Sequence, residues 1–192
     1  MNRRSEIFSS IMDALINGYK HIKNFLTKEE VELLTHYTRL KHRSNFNSFD
    51  TEQSDQGDTM FYGDPVTDSL LITKKKLMER ETKLKLLPTY TFWRMYSYGA
   101  DLKKHKDRPS CEYSVTVKIN SCGVKWPIFM EGTEIELDVG DAVIYKGCEL
   151  AHWRNDFEGD WHAQVFLHYV NADGPHKEWF KDKRIMLGIT KG

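Results

Sequence analysis

The sequence predicts a mainly β protein with flanking N-terminal helices: an antiparallel sandwich or jelly roll whose early helices pack on one sheet. Three observations carry this. Apolar residues keep helical spacing up to about residue 88, the period changes to two at Thr89, and from there short alternating runs recur between Gly, Pro and Asp turns with no helical stretch between them.

Ile7, Phe8, Ile11, Met12, Leu15 and Ile16 recur at helical spacing and predict a short amphipathic helix closed by Gly18. Arg3 and Arg4 precede them, but Glu6 and Asp13 interrupt the apolar run, which argues against a signal peptide. Thr27-Lys28-Glu29-Glu30 is a capping box. It opens a helix with Val31, Leu34, Tyr37 and Leu40 as its apolar stripe. Residues 42–63 read as polar and irregular. Within them Ser44 to Asp58 is rich in Ser, Asn, Asp, Gln and Gly, which suits either a cover over a site or an inert insertion. Asp64-Pro65 opens a second helix with Val66, Leu70, Leu71, Leu77 and Met78 as its buried face, and Leu87-Pro88 is expected to end it.

Beyond Thr89, Tyr90, Phe92, Arg94 and Tyr96 alternate with Thr91, Trp93 and Met95, and Ser114, Thr116 and Lys118 alternate with Val115, Val117 and Ile119. Trp126–Met130, Glu134–Leu137, Ala142–Tyr145 and His162–Val170 complete the strands. The expected organisation is one domain: helical support and polar loop over 1–88, a β core over 89–170 and a tail over 171–192.

A chain of 192 residues with 40% hydrophobic content suits one well-buried core. Lys plus Arg equals Asp plus Glu at 28 each, so no global field favours nucleic acid or an anionic membrane. Lys74-Lys75-Lys76 is the one basic run and reads as a solvated helix face. Three cysteines, Cys111, Cys122 and Cys148, without Cys-x-x-Cys spacing point to a reducing, cytoplasmic compartment. No segment approaches the length of a membrane span.

The chemistry is carried by His105-Lys106-Asp107, near the end of a strand-like run, and by His152, at the end of a later one. Two imidazoles and one carboxylate make up the facial triad that holds ferrous iron on one face and leaves the other positions open for co-substrate and oxygen. In an extended backbone, residues i and i+2 point the same way, so His105 and Asp107 can meet one ion. The interval from Asp107 to His152 leaves room for the four strands a jelly roll needs between them. Arg154, two residues beyond His152, is expected to face the same pocket, where its fork of donors suits a carboxylate. His162 competes with His152 for the third ligand position; His152 is preferred because it follows the Gly140-Asp141 strand directly.

Together, the Phe25-Leu26-Thr27-Lys28-Glu29-Glu30 entry helix, Arg94-Met95-Tyr96-Ser97-Tyr98-Gly99 before His105-x-Asp107, and Gly140-Asp141 before His152 resemble the iron(II)/2-oxoglutarate-dependent dioxygenases, the prolyl 4-hydroxylase-like branch in particular. The resemblance covers about Tyr19 to Tyr169. It implies a double-stranded β-helix, Fe2+, 2-oxoglutarate and O2 as co-substrates, and hydroxylation of a peptidyl (including prolyl) or small-molecule substrate with release of succinate and carbon dioxide. Two positions depart from the branch: Leu102 stands where a Tyr is common, and His162 where a Lys is common. Another cation must then hold the far carboxylate of 2-oxoglutarate. Arg154 is the first choice and Lys118 the second, with Tyr96, Arg94 and Gln164 as further contacts. His21, His36, His42 and His176 read as surface residues. Two other classes stand beside this reading. One is a cupin-like binding module without turnover; the other is a zinc hydrolase, for which Glu149 is the nearest, poorly fitting acid-base residue.

Overall fold

In a computed structural model, residues 15–44 and 58–189 are described. The helix expected over Ile7 to Ile16 therefore lies almost wholly outside the described residues, as do residues 45–57 of the polar loop; Ile16–Gly18 forms a short 3-10 turn.

Among the described residues, ten strands make two antiparallel sheets. They are β1 (Tyr19–Ile22), β2 (Thr59–Tyr62), β3 (Leu86–Tyr96), β4 (Leu102–His105), β5 (Tyr113–Ser121), β6 (Ile128–Met130), β7 (Thr133–Ile135), β8 (Ala142–Tyr145), β9 (His152–Arg154) and β10 (His162–Asn171). The larger sheet runs β1-β8-β5-β10-β3-β2 and the smaller β4-β9-β6-β7. This is a jelly roll, the double-stranded β-helix that was expected. Helices α1 (Lys28–Ser44) and α2 (Pro65–Thr82) cover the outer face of the larger sheet.

Alternation decides which side each residue takes. Trp93 and Met95 of β3, Val115, Val117 and Ile119 of β5, and Val165 and Leu167 of β10 join Leu34, Leu70, Leu71 and Met78 of the helices in the main core. The inner face of the same strands is largely polar. A second apolar cluster of Ile128, Met130, Ile135, Leu137, Val143 and Tyr145 joins the two sheets.

The capping box forms as read: Thr27 N–H donates to Glu30 Oε2 (2.8 Å), and Glu30 N–H to Thr27 Oγ1 (3.2 Å). Asp64 caps α2 by accepting from Val66 N–H at 2.9 Å.

Four expectations need correction. Leu40 is exposed and Thr38 is buried instead, because the stripe of α1 steps by three from Val31 to Leu34 and then by four to Thr38. Thr59–Tyr62 forms β2 inside the stretch read as irregular. Helix α2 ends at Thr82, where Lys83 turns left-handed (φ 61°), and Leu87-Pro88 lies within β3. Proline is tolerated there because β2 pairs only with Phe92 to Met95, so this end of β3 has no β2 neighbour to receive an N–H. His152 begins a strand and does not end one. The tail, through residue 189, packs on the rest of the chain, which its sequence gave no sign of: Asp182 is fully buried between Arg108 (two contacts of 2.8 Å) and the hydroxyl of Tyr62, and Arg184 pairs with Asp68 at 3.0 Å.

Among the described residues no helix is long and apolar enough to cross a membrane.

Candidate metal centre and its cavity

His105 is the last residue of β4 and His152 the first of β9, and these antiparallel strands set the two residues directly opposite each other. Their rings lie 4.3 Å apart, centre to centre. Asp107 lies beyond the end of β4. Its backbone N–H donates to Gly147 O (2.9 Å), and this bond, with no help from strand pairing, carries the carboxylate in under the two rings. Gly147 leaves no choice of residue: a Cβ there would lie 2.3 Å from Cys111 O and 2.5 Å from Asp107 Oδ2.

Both imidazoles are oriented alike. Nδ1 of His105 lies 2.7 Å from Lys103 O, and Nδ1 of His152 lies 3.0 Å from Leu150 O. A carbonyl oxygen only accepts, so in each ring Nδ1 carries a proton, and when the ring is neutral Nε2 keeps its lone pair. Both Nε2 atoms face Asp107 Oδ1, at 3.5 and 3.6 Å. The three donor atoms lie within 4.8 Å of one another, as one ion requires.

Electrostatics keep the carboxylate charged. Burial alone would push Asp107 up, but the hydrogen bond from His105 and the fields of His152 and His168 bring it below its usual range. Burial pulls His105 down, and its bond to Asp107 reverses that to a net rise; in His152 burial wins and the ring is held neutral.

The cluster opens on a cavity of about 440 Å³ whose wall includes Tyr62, Tyr90, Phe92, Arg94, Tyr96, Arg108 and Phe166. The even-numbered residues of β3 thus supply much of one wall. Tyr90 and Phe92 line it, whereas Trp93 lies in the core on the other face.

Arg154 lies on the same strand face as His152 but does not reach the cavity wall. It is 3% exposed and its Nη1 donates to Trp126 O, while Nε and Nη2 have no hydrogen-bond partner. Its guanidinium stacks 4.7 Å from the Trp126 ring centre. Around the same indole stand Tyr96, in the cavity wall with its hydroxyl unpaired, and His162, with Nδ1 unpaired. Loss of hydration pulls the Arg154 pKa down to about 10, so the buried group is still a cation at neutral pH. No carboxylate of the described residues pairs with it. Buried polar atoms are normally satisfied, so a converging set of orphans around a cation marks a place for an anion.

The other expected contacts are engaged elsewhere. Lys118 donates to Leu137 O (3.0 Å) and is not in the cavity wall. Gln164 donates to Thr116 Oγ1 (2.6 Å) and its Oε1 lies 2.8 Å from His162 Nε2, so both it and His162 serve the sheet interior, away from Asp107. Parity along the strand put Lys118 and Gln164 on the inner face; it gave no measure of depth. Arg94 lines the cavity, but Asp58 holds it at 2.8 Å, with both side chains buried. His21 is exposed, as read for a surface residue, and bonds Asp141 at 2.9 Å.

Several residues at the site carried no signal in the sequence. Asp58 lies in a polar stretch, and its partners Arg94 and Ser97 are far along the chain. Ser114 bonds both Asp107 Oδ2 (3.2 Å) and His168 Nδ1 (2.8 Å). Arg108 and Asp182 meet only in the fold. Polar residues at every second position from Ser114 to Lys118 of β5, with Gln164 and His168 on β10, were the one available hint.

Neither a protein-family model nor a curated protein matches the sequence. The fold does have relatives among solved structures. A prolyl-4-hydroxylase from Pseudomonas putida is similar over 80% of this chain and 92% of its own, at 17% identity and a TM-score of 0.65. A prolyl hydroxylase from Trichoplax adhaerens, in complex with a hypoxia inducible factor peptide fragment, covers 94% of this chain and 96% of its own at 16% identity and a TM-score of 0.65. SnoN, a non-heme α-ketoglutarate-dependent epimerase from nogalamycin biosynthesis, covers 81% and 79% at 13% identity and a TM-score of 0.66. At these identities the shared property is the double-stranded β-helix itself.

Proposed function

We propose that the chain is an iron(II)- and 2-oxoglutarate-dependent oxygenase in which His105, Asp107 and His152 hold Fe2+. The observation that carries this is the pair of imidazoles locked through Nδ1 to backbone carbonyls, with both free Nε2 atoms and one charged carboxylate gathered at the mouth of a cavity. Nitrogen and oxygen donors from three residues suit ferrous iron with open positions. When bound, iron and 2-oxoglutarate supply the oxidising chemistry: one atom of O2 ends in succinate, carbon dioxide leaves, and the other atom goes to the substrate.

The chain's own part is binding and exclusion of water. Arg154, with the hydroxyl of Tyr96, takes the far carboxylate of 2-oxoglutarate and ends the isolation of the buried cation. Tyr96 stands between the cavity and Arg154: it lines the cavity, and its ring packs against the indole of Trp126 on which Arg154 stacks. Tyr62, Tyr90, Phe92 and Phe166 give the cavity apolar faces for a peptidyl or small-molecule substrate. The peptide-bound hydroxylase from Trichoplax adhaerens supports the peptidyl alternative, and SnoN shows that the fold also serves small molecules.

The test is succinate formation from 2-oxoglutarate with added Fe2+, alongside iron binding. The wild-type protein should turn over 2-oxoglutarate slowly even without prime substrate, and His105→Ala and Asp107→Ala should lose both iron binding and turnover while keeping the β-sheet circular dichroism. Iron binding without any 2-oxoglutarate consumption would favour a binding module. Undiminished turnover in either variant would remove the triad.

A further inference from the structure

We infer that Asp107, Cys111 and His168 form a second metal site, one that takes a thiophilic divalent cation such as Zn2+ and shares its carboxylate with the first cluster. One donor atom from each of the three lies within 4.8 Å of the others. Thiolate, imidazole and carboxylate are the ligand types of zinc, and the sulfur disfavours hard cations such as Mg2+ and Ca2+. Both added ligands are withdrawn from solvent: Cys111 is 2% exposed and His168 5%.

The two oxygens of Asp107 face different partners. Oδ1 lies toward His105 and His152 (3.5 and 3.6 Å), whereas Oδ2 lies 3.2 Å from Ser114 Oγ, which in turn lies 2.8 Å from His168 Nδ1. One carboxylate thus serves two clusters on opposite sides. An ion reaches the second through the same cavity, because Asp107, His168 and Tyr90 all stand in its wall and Cys111 Sγ lies 3.1 Å behind the Tyr90 hydroxyl. On binding, the Cys111 S–H bond breaks, a sulfur–metal bond forms and the proton leaves to solvent.

The consequence is competition. An ion at Cys111 and His168 draws on Asp107 and weakens the hold of the first cluster on its own metal. That consequence rests on the oxygenase reading; the site itself does not.

Co2+ is the probe, because a cobalt ion bound to thiolate shows a charge-transfer absorption in the near ultraviolet that one bound only by imidazole and carboxylate lacks. In protein carrying Cys122→Ser and Cys148→Ser, Cys111 is the sole thiol, and Co2+ should produce the band. The band should survive His105→Ala and disappear with Cys111→Ser. His168→Gln should raise the Co2+ concentration for half-saturation by about tenfold or more. No band in the protein whose sole thiol is Cys111 would overturn the site outright, whatever the variants do. Persistence in Cys111→Ser, or loss in His105→Ala, would overturn it as well. The band is read without 2-oxoglutarate, so a protein that shows it but never makes succinate keeps the second site and loses the oxygenase.

Discussion

The two faces of the larger sheet are built on opposite terms. Outward, Trp93, Val117, Val165 and Leu167 meet Leu71 and Met78 of α2, and their apolar surfaces gain by leaving water. Inward, the next residues of the same strands are Arg94, Thr116, Gln164 and His168, buried as deeply but polar. Burying such groups costs stability unless partners are found, and around Arg154 they are not. A sheet that is mainly apolar on one face and gathers most of its orphaned polar atoms on the other is a scaffold with its function stored inward.

The sharpest way to break this comparison is to damage one face and look for effects on the other. Leu71→Ala, at a fully buried position of α2, should cost about 2–5 kcal/mol of stability in urea unfolding and leave the 2-oxoglutarate concentration for half-maximal turnover unchanged. A change in that concentration would show that the faces are coupled.

Acid should weigh on the inner face through His168. Burial pulls His168 down to about 4, below its ordinary value of 6.5. The unfolded chain therefore takes up a proton that the folded chain refuses, so this contribution is fully present above about pH 6.5 and is lost as pH falls to about 4. At about 1.4 kcal/mol per unit the loss approaches about 3 kcal/mol. Urea unfolding at a series of pH values should show the slope in the wild-type protein and a shallower one in His168→Gln.

Arg154→Met sharpens the contrast further. It keeps the volume against Trp126 but removes the charge, so the 2-oxoglutarate needed for half-maximal turnover should rise about a hundredfold, equivalent to about 2.8 kcal/mol. The melting temperature of the ligand-free protein should hold or rise, since an unpaired buried cation is gone. Lys118→Met should leave turnover as it was. A large effect of Lys118 with none of Arg154 would move the anion pocket to β5.

The smallest effect belongs to the periphery. Thr27→Ala removes one half of the capping box and should cost about 1 kcal/mol, with no change at the site.

What could be read in the sequence follows the same division. The long strands β3, β5 and β10 announce themselves because alternation over many residues fixes the face of each side chain. His105, Asp107 and His152 were found because their types and spacing are chemically specific. Strands β1, β2, β4 and β9 were missed or misplaced because they are short and mix polar with apolar residues, unlike the equally short but wholly buried β8 (Ala142–Tyr145). Asp58, Asp182 and Arg184 were invisible for another reason: their partners are set by tertiary pairing across the chain, and a charged residue in a polar stretch looks the same whether it ends in solvent or under a strand. Arg154 falls between. Parity gave its face correctly, while its depth behind the cavity wall depends on the packing of Trp126 and Tyr96.

Strand β4 has a single neighbour, β9, and its pairing is interrupted between Leu102 and His105. Edge strands with few bonds open more readily than central ones. Of the two imidazoles, His105 therefore rides on the element that frays first, while His152 sits on a strand held from both sides. Metal release should then be timed by the fraying of β4, and backbone amides of β4 should exchange with deuterium faster than those of β9. An ion once seated would act as a staple on that edge, slowing the exchange of a strand that the polypeptide alone leaves half-fastened.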